Sequence, residues 1–360
     1  MKRGIIRLHR ALSLVLLAFW ALQGSTGTLL AFRWEIEDAL LPGPAAAADP
    51  EALGARIESI VRDGGRPAVV WSSAASATRF DIFYADSAGT ERVLRVDGHG
   101  RVLRDGLDGE RFANGGVWDT FTLIHTELLA GEAGSWIIAA SGLLLVANVI
   151  IGLRLAWPRV GSWRRVLLGE TAGPRAARLH AWHRRIGLWL GLIVLPFFAA
   201  GVLLCFEHGL RELTDQEVSE PPASEKSASR ISVSQALEIA ASHHPGSRFS
   251  MLGMPSARAP WFRIRQLRPH DMARNWGTST LFVSAVDGRV LADHPSRAAP
   301  AGRKLIDFLY PFHTGQVAGI AGRTLVLLQG IWLVAMVILG FSLWRVRRSR
   351  SRDGNTWGDW

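Results

Sequence analysis

Four long apolar stretches organise this chain, at about 11–32, 136–157, 186–206 and 324–344. Each approaches the roughly 20 residues that a helix needs to cross the hydrocarbon core of a bilayer. Each is therefore expected to be a membrane-spanning helix. Between them the pattern changes. Asp49 to Arg62 carries Leu53, Ile57, Ile60 and Val61 at helical spacing. Strand-like runs follow at Ala68 to Trp71, Arg79 to Tyr84 and Arg92 to Val96, and a turn at Asp97-Gly98-His99-Gly100 leads into Arg101-Val102-Leu103. Further on, Ser232 is placed to cap a helix bearing Ala236, Leu237, Ile239 and Ala240. Strand-like runs at Trp261 to Gln266 and Thr280 to Val286 come next, and Asp287-Gly288 turns into Arg289 to Asp293. One helix followed by an antiparallel sheet is an α+β module. The Glu-, Ser- and Pro-rich stretch 214–230 reads as a linker.

Charge fixes the expected orientation. The net charge is +10, but it is sorted by segment. Residues 154–185 hold eight arginines against one acid, Glu170, and 345–360 hold five arginines against two aspartates. Lys2, Arg3, Arg7 and Arg10 lead the first span, whereas 33–134 carries 17 acids and 10 basic residues. Short basic segments stay in the cytoplasm, so both termini are expected inside and the two long segments outside. The basic balance is thus a topology signal and not a nucleic-acid footprint. The first apolar run is longer than a signal-peptide core, and the nearest small-residue run, Ala45 to Ala48, lies far downstream, so an uncleaved anchor is expected. Cys205 is the only cysteine, which excludes an intramolecular disulfide and cysteine-based zinc or iron–sulfur sites within one chain.

The spans repeat. A shift of 174 residues lays His9-Arg10 on His183-Arg184, Gly27 on Gly201 and Leu29-Leu30 on Leu203-Leu204. A shift of 188 lays His125-Thr126 on His313-Thr314, Gly142 on Gly330 and Gly152 on Gly340. The glycines read as close-packing positions between helices. The fold expected is a four-helix membrane bundle made by a two-fold parallel repeat.

The helix starts "LHRALSL" and "WHRRIGLW" and the segments "HTELLAGEAG" and "HTGQVAGIAG" resemble the PepSY-associated transmembrane family. The modules ending in "VDGRVLAD" resemble PepSY domains. The expected layout is a cytoplasmic start at 1–10, a span at 11–32 and a periplasmic PepSY-like domain at 33–118. A span with its periplasmic lead-in at 119–157, a cytoplasmic loop at 158–182 and a span at 183–208 follow. A second periplasmic domain at 209–304, a fourth span with lead-in at 305–345 and a cytoplasmic tail at 346–360 complete it. The resemblance implies the bacterial inner membrane and, because the family includes haem-bearing reductases linked to iron uptake, a redox role.

The repeated histidines carry the candidate chemistry. Haem b needs two axial imidazoles on facing helices and an apolar slot, and helix bundles build such sites from inward side chains. Two haems are expected, an inner one between His9 and His183 and an outer one between His125 and His313. Phe19, Trp20, Trp182 and Trp189 suit the slot. His180, one turn before His183, is an alternative inner ligand, and His208 is an alternative outer one. From His125 to Trp157 is 32 residues, which is about 48 Å as one straight helix. That exceeds the bilayer core; breaks at Gly131–Gly134 and Gly319–Gly322 would fold the histidines back, and without them His208 is the substitute outer ligand. His99, His243, His244, His270 and His294 read as surface residues, an adjacent pair such as His243-His244 being weak evidence for a metal.

No dinucleotide fingerprint or P-loop is present, and no residue is assigned a catalytic role. Electrons are expected from a cytoplasmic or membrane donor, a reductase or a quinol. By resemblance, the expected acceptor is a ferric siderophore or other Fe(III) chelate. The stretch Trp261, Arg263, Arg265, Arg268, His270, Arg274 and Trp276 offers positive charge to an anionic chelate. The alternative is a non-enzymatic, membrane-anchored protein that binds peptides or regulates a peptidase. A transporter lacks support, since no charge lies near mid-span.

Overall fold

A computed structural model describes residues 2–41, 48–72, 78–109, 111–112, 116–169, 171–213, 218–222 and 231–352. Most of the expected linker 214–230, Glu170, residues 45–47 and the tail from 353 lie outside these residues. In chain order the elements are α1 (Lys2–Val15), α2 (Leu17–Leu30), α3 (Arg33–Leu40), α4 (Pro50–Arg62), β1 (Arg66–Ser72), β2 (Arg79–Ala85), β3 (Glu91–Asp97) and β4 (Val102–Leu107). Next come α5 (Val117–Glu127), α6 (Gly131–Ala156), α7 (Trp163–Leu168), α8 (Arg175–Leu204), α9 (Glu207–Leu213) and α10 (Val233–His243). The chain ends with β5 (Arg248–Gly253), β6 (Trp261–Leu267), β7 (Ser279–Ser284), β8 (Val290–His294), α11 (Ala301–His313) and α12 (Gly319–Arg352). These fall into two compact units: 1–31 with 121–207 and 312–360, and 32–120 with 208–311.

In the first unit, α6, α8 and α12 are each long and apolar enough to cross a membrane. The first apolar run is not one straight helix. It bends by 64° at Leu16, so α1 and α2 meet the length and composition of a span only when taken together. No proline or glycine marks the bend. It falls where the chain changes character: α1 carries Arg3, Arg7 and Arg10, whereas α2 has no charged residue. An amphipathic helix and one apolar all round seek different surroundings. Large apolar side chains are exposed on the outward faces, among them Leu143, Ile150, Leu192, Ile331 and Ile338. Inside, Trp20, Leu145, Val194, Trp332 and Leu333 form the core. Backbones approach closely at Gly24 and Gly330, where a Cβ on Gly24 would meet the Gly330 carbonyl at 3.2 Å. A larger residue would push α2 off α12.

Interruptions are present just ahead of the expected glycines, which instead open α6 and α12. Between α5 and α6 the chain leaves the helix at Leu128–Ala130, with Leu128 and Leu129 at φ 53° and 59°. Between α11 and α12 it turns through Gly315 and Gly319, at φ 76° and 57°. Positive φ is cheap for glycine and costly for leucine. A Cβ on Gly134 would collide with the Glu127 carbonyl, and one on Gly322 with that of Gly315. The turns therefore admit only glycine there.

The second unit differs from the two separate domains expected. Among the described residues its strands form one eight-stranded antiparallel sheet, ordered β4-β3-β2-β1-β5-β6-β7-β8. The join is β1 with β5, where Val69, Val70 and Trp71 face Gly253, Leu252 and Met251. Strand β5 is absent from the sequence reading because Arg248–Gly253 is short and lacks a clean apolar–polar alternation. Pairing β1 with β5 turns two exposed sheet edges into interior strands. Helices α4 and α10 pack side by side, with Gly54 against Ser234. Asp49 caps α4 through Glu51 and Ala52, and Ser232 forms a capping box with Gln235 on α10. Leu53, Ile57, Phe80, Ile82, Leu252, Phe262 and Leu281 lie in the core beneath them.

Candidate functional site

Each predicted pair of histidines meets. His9 on α1 and His183 on α8 have ring centroids 6.3 Å apart and planes at 67°. His125 lies in the last turn of α5 and His313 ends α11, and their centroids are 6.4 Å apart with planes at 29°. The breaks after these two short helices bring this second pair together. Neither ring contact includes His180 or His208. His180 is exposed on α8, and His208 is exposed and faces Glu212 at 3.1 Å.

Four glycines seat the four rings. A Cβ on Gly152 of α6 would lie 3.1 Å from His9 Cε1, and one on Gly340 of α12 would lie 3.5 Å from His183 Cε1. In the second pair, a Cβ on Gly27 of α2 would be 3.1 Å from His125 Cε1, and one on Gly201 of α8 would be 2.6 Å from His313 Cε1. These are the glycines matched by the two sequence shifts, Gly27 with Gly201 and Gly152 with Gly340. Sequence reasoning read them as helix-packing positions. What each meets is an imidazole.

The rings are oriented by different partners. His125 Nδ1 lies 2.9 Å from Thr26 Oγ1, and His313 Nδ1 lies 2.9 Å from the Phe197 carbonyl, to which it donates as the Nδ1–H tautomer. A ring held through Nδ1 presents Nε2 as its free lone pair. In the other pair, the Nδ1 atoms of His9 and His183 are buried, and His183 Nδ1 has no hydrogen-bond partner among the described residues. Asn148 stands beside His9, and its Nδ2 donates to Ser13 Oγ at 2.9 Å. Phe197 and Phe312 stack at 4.6 Å next to His313, giving that pair an apolar wall. Thr26, Phe197 and Asn148 had no sequence signal, since their roles arise from helices that meet only in the fold.

Residues 6–347, which include both histidine pairs, match the PepSY-associated TM region family. The chain belongs to that family. Among curated proteins none matches it. As a PepSY-associated TM protein with long apolar helices, it is a multi-pass membrane protein.

The basic stretch predicted from sequence divides on folding. Arg268 pairs with Asp293, Trp261 is buried against Phe282, and His270 sits in a turn at φ 69°. Trp276 stacks on Tyr310, makes edge contacts with Trp34 and Trp71, and donates to the Ser72 carbonyl at 3.0 Å. Arg265 lies over Trp71, its guanidinium carbon 5.7 Å from the ring centroid, and its Nε is buried and unpaired among the described residues. Burial, with the like charges of Arg263 and Arg274, pushes the Arg265 pKa down to about 10. What the fold assembles here is a crowded cationic patch beside aromatic rings, drawn from Arg263, Arg265 and Arg274.

Proposed function

We propose that this PepSY-associated TM protein is a b-type di-haem cytochrome of the bacterial inner membrane. In this reading it passes electrons to a periplasmic acceptor, a ferric siderophore or another Fe(III) chelate. Four spans from a two-fold repeat form the bundle, with both termini in the cytoplasm and the sheet unit in the periplasm. The electron donor is a reductase or a quinol.

The single observation that carries the proposal is the spacing of the two imidazole pairs. A metal binds imidazole nitrogen at about 2.0–2.1 Å, and the ring centroid lies about 1.1 Å beyond, so two rings clamping one ion in line have centroids about 6.3 Å apart. The observed values are 6.3 and 6.4 Å. The donor set fits as well: imidazoles in an apolar, helix-lined setting are the ligand chemistry of haem b. Haem b supplies a one-electron iron couple when bound. The protein's own part is to hold and orient it. His9 with His183 and His125 with His313 would be the axial ligands. The four glycines let the helices approach the rings, Thr26 and the Phe197 carbonyl fix two of them by Nδ1, and the stacked Phe197 and Phe312 exclude water. Such outer partners orient ligands and tune their basicity.

The patch at Arg263, Arg265 and Arg274 supports an anionic acceptor. Glu220 lies 3.7 Å from Arg263 and Asp307 partly offsets the charge on Arg265, and the aromatic rings nearby offer contact for the organic part of a chelate. Reduction then loosens the iron, because hard oxygen donors hold the more highly charged ion better.

The experiment is an absorption spectrum of the detergent-purified chain, oxidised and then reduced with dithionite, after expression with ample haem. Low-spin b-type bands at two haems per chain are expected. His183→Ala and His125→Ala should each remove one haem and leave the other. A colourless protein refutes the reading and favours a peptide-binding membrane anchor; loss of both haems from either change refutes the pairing.

A further inference from the structure

We propose that His243, His244 and Asp293 form a binding site for a divalent first-row transition-metal ion, separate from the paired histidines of the helices. His243 ends α10, His244 caps it, and Asp293 lies on β8, so the fold brings in a carboxylate from 50 positions along the chain. The ligating atoms of the three residues lie within 4.8 Å of one another. His244 Nε2 is 3.1 Å and His243 Nε2 is 3.9 Å from the same oxygen, Asp293 Oδ2. Two ligands of one ion are separated by at most about 4.1 Å, twice a metal–nitrogen bond, and both distances fall within that reach.

His244 Nε2 is buried and faces Asp293 Oδ2 at 3.1 Å, so the imidazole and the carboxylate already converge on one point. The two rings stand at 81° with centroids 4.5 Å apart, so they approach the carboxylate from different directions. Asp293 is also held by Arg268, whose Nη2 donates to Oδ1 and whose Nη1 donates at 3.4 Å to Oδ2, the oxygen that faces the histidines. A metal-bound carboxylate is commonly steadied by such an outer partner. Arg268 also brings a like charge close to the ion. Attachment therefore rests on coordination bonds from imidazole, which selects zinc-like or ferrous ions over calcium and magnesium. His243 is the adjustable ligand, its side chain 41% exposed, and that exposure leaves further coordination positions open to water. Two imidazoles with one carboxylate and open positions match the ligand set of exchangeable or reactive metal centres.

The test is equilibrium dialysis of the detergent-solubilised full chain against Zn²⁺. Wild type should bind one more equivalent than the His243→Ala/His244→Ala double variant. His243→Ala alone should weaken that equivalent at least about tenfold, and His99→Ala, a change at another exposed histidine, should leave it untouched. Zn²⁺ should raise the melting temperature of wild type and not of the double variant, while both melt alike without metal. Equal Zn²⁺ binding by wild type and the double variant overturns the proposal, as does equal competition by Mg²⁺ or Ca²⁺. Because the four paired histidines are intact in every variant, these outcomes are independent of haem content.

Discussion

The imidazole of His313 rests on Gly201 so closely that a Cβ at that glycine would come within 2.6 Å of Cε1. The ring has little freedom to yield, because Nδ1 is bonded to the Phe197 carbonyl. Gly201→Ala is therefore expected to displace His313 and halve the haem per chain, measured by the pyridine haemochrome. Gly340→Ala meets its histidine at 3.5 Å, an ordinary contact, and should retain both haems. Equal loss at the two positions would mean that the glycines act only in helix packing.

Thr26 offers a gentler perturbation. Thr26→Val keeps the shape of the side chain and removes the oxygen 2.9 Å from His125 Nδ1. A buried group left without its partner costs about 1–3 kcal/mol. Loss of that partner also changes the basicity of the ring. In a redox titration the midpoint of one haem should move and the other should stay. A shift of both, or of neither, would contradict the role given to Thr26.

Arg265→Gln removes the charge at the centre of the cationic patch while keeping a polar side chain. The haem spectrum should be unchanged, because the residue belongs to the sheet unit. Affinity for an anionic ferric chelate should fall several-fold, read as a rise in KM for dithionite- or donor-driven reduction with kcat little altered. A change in kcat alone would place the acceptor elsewhere.

Arg95 ties together the start of the sheet unit. Its guanidinium bonds both oxygens of Asp81, at 2.6 and 2.7 Å, and also pairs with Glu37. Although burial opposes the charge, these acids hold the Arg95 pKa above its ordinary value. Removing one partner of a buried ion pair strands the other at a cost of about 3–5 kcal/mol. Arg95→Met should accordingly lower the melting temperature of the sheet unit, followed by circular dichroism, and leave haem content intact.

The sequence by itself determined the apolar spans and most of the strands, and it proposed the histidine pairs. Spans are legible because an apolar run of bilayer length has few other uses. Strands β2, β3, β6 and β7 are legible because their residues alternate or favour extended backbone. The pairs His9–His183 and His125–His313 are legible because equal offsets recur in both halves. Only the tertiary structure decided how those pieces meet. The bend at Leu16 has no local marker, and β5 becomes a strand by pairing with β1, which fuses two expected domains into one sheet. Gly27, Gly152, Gly201 and Gly340 look like any packing glycine until an imidazole lies on each of them. Asp293 joins His243 and His244 only across 50 residues of chain. Periodicity and offset are properties of a line of residues, whereas contacts between helices and across a sheet are set by the packing of many residues at once.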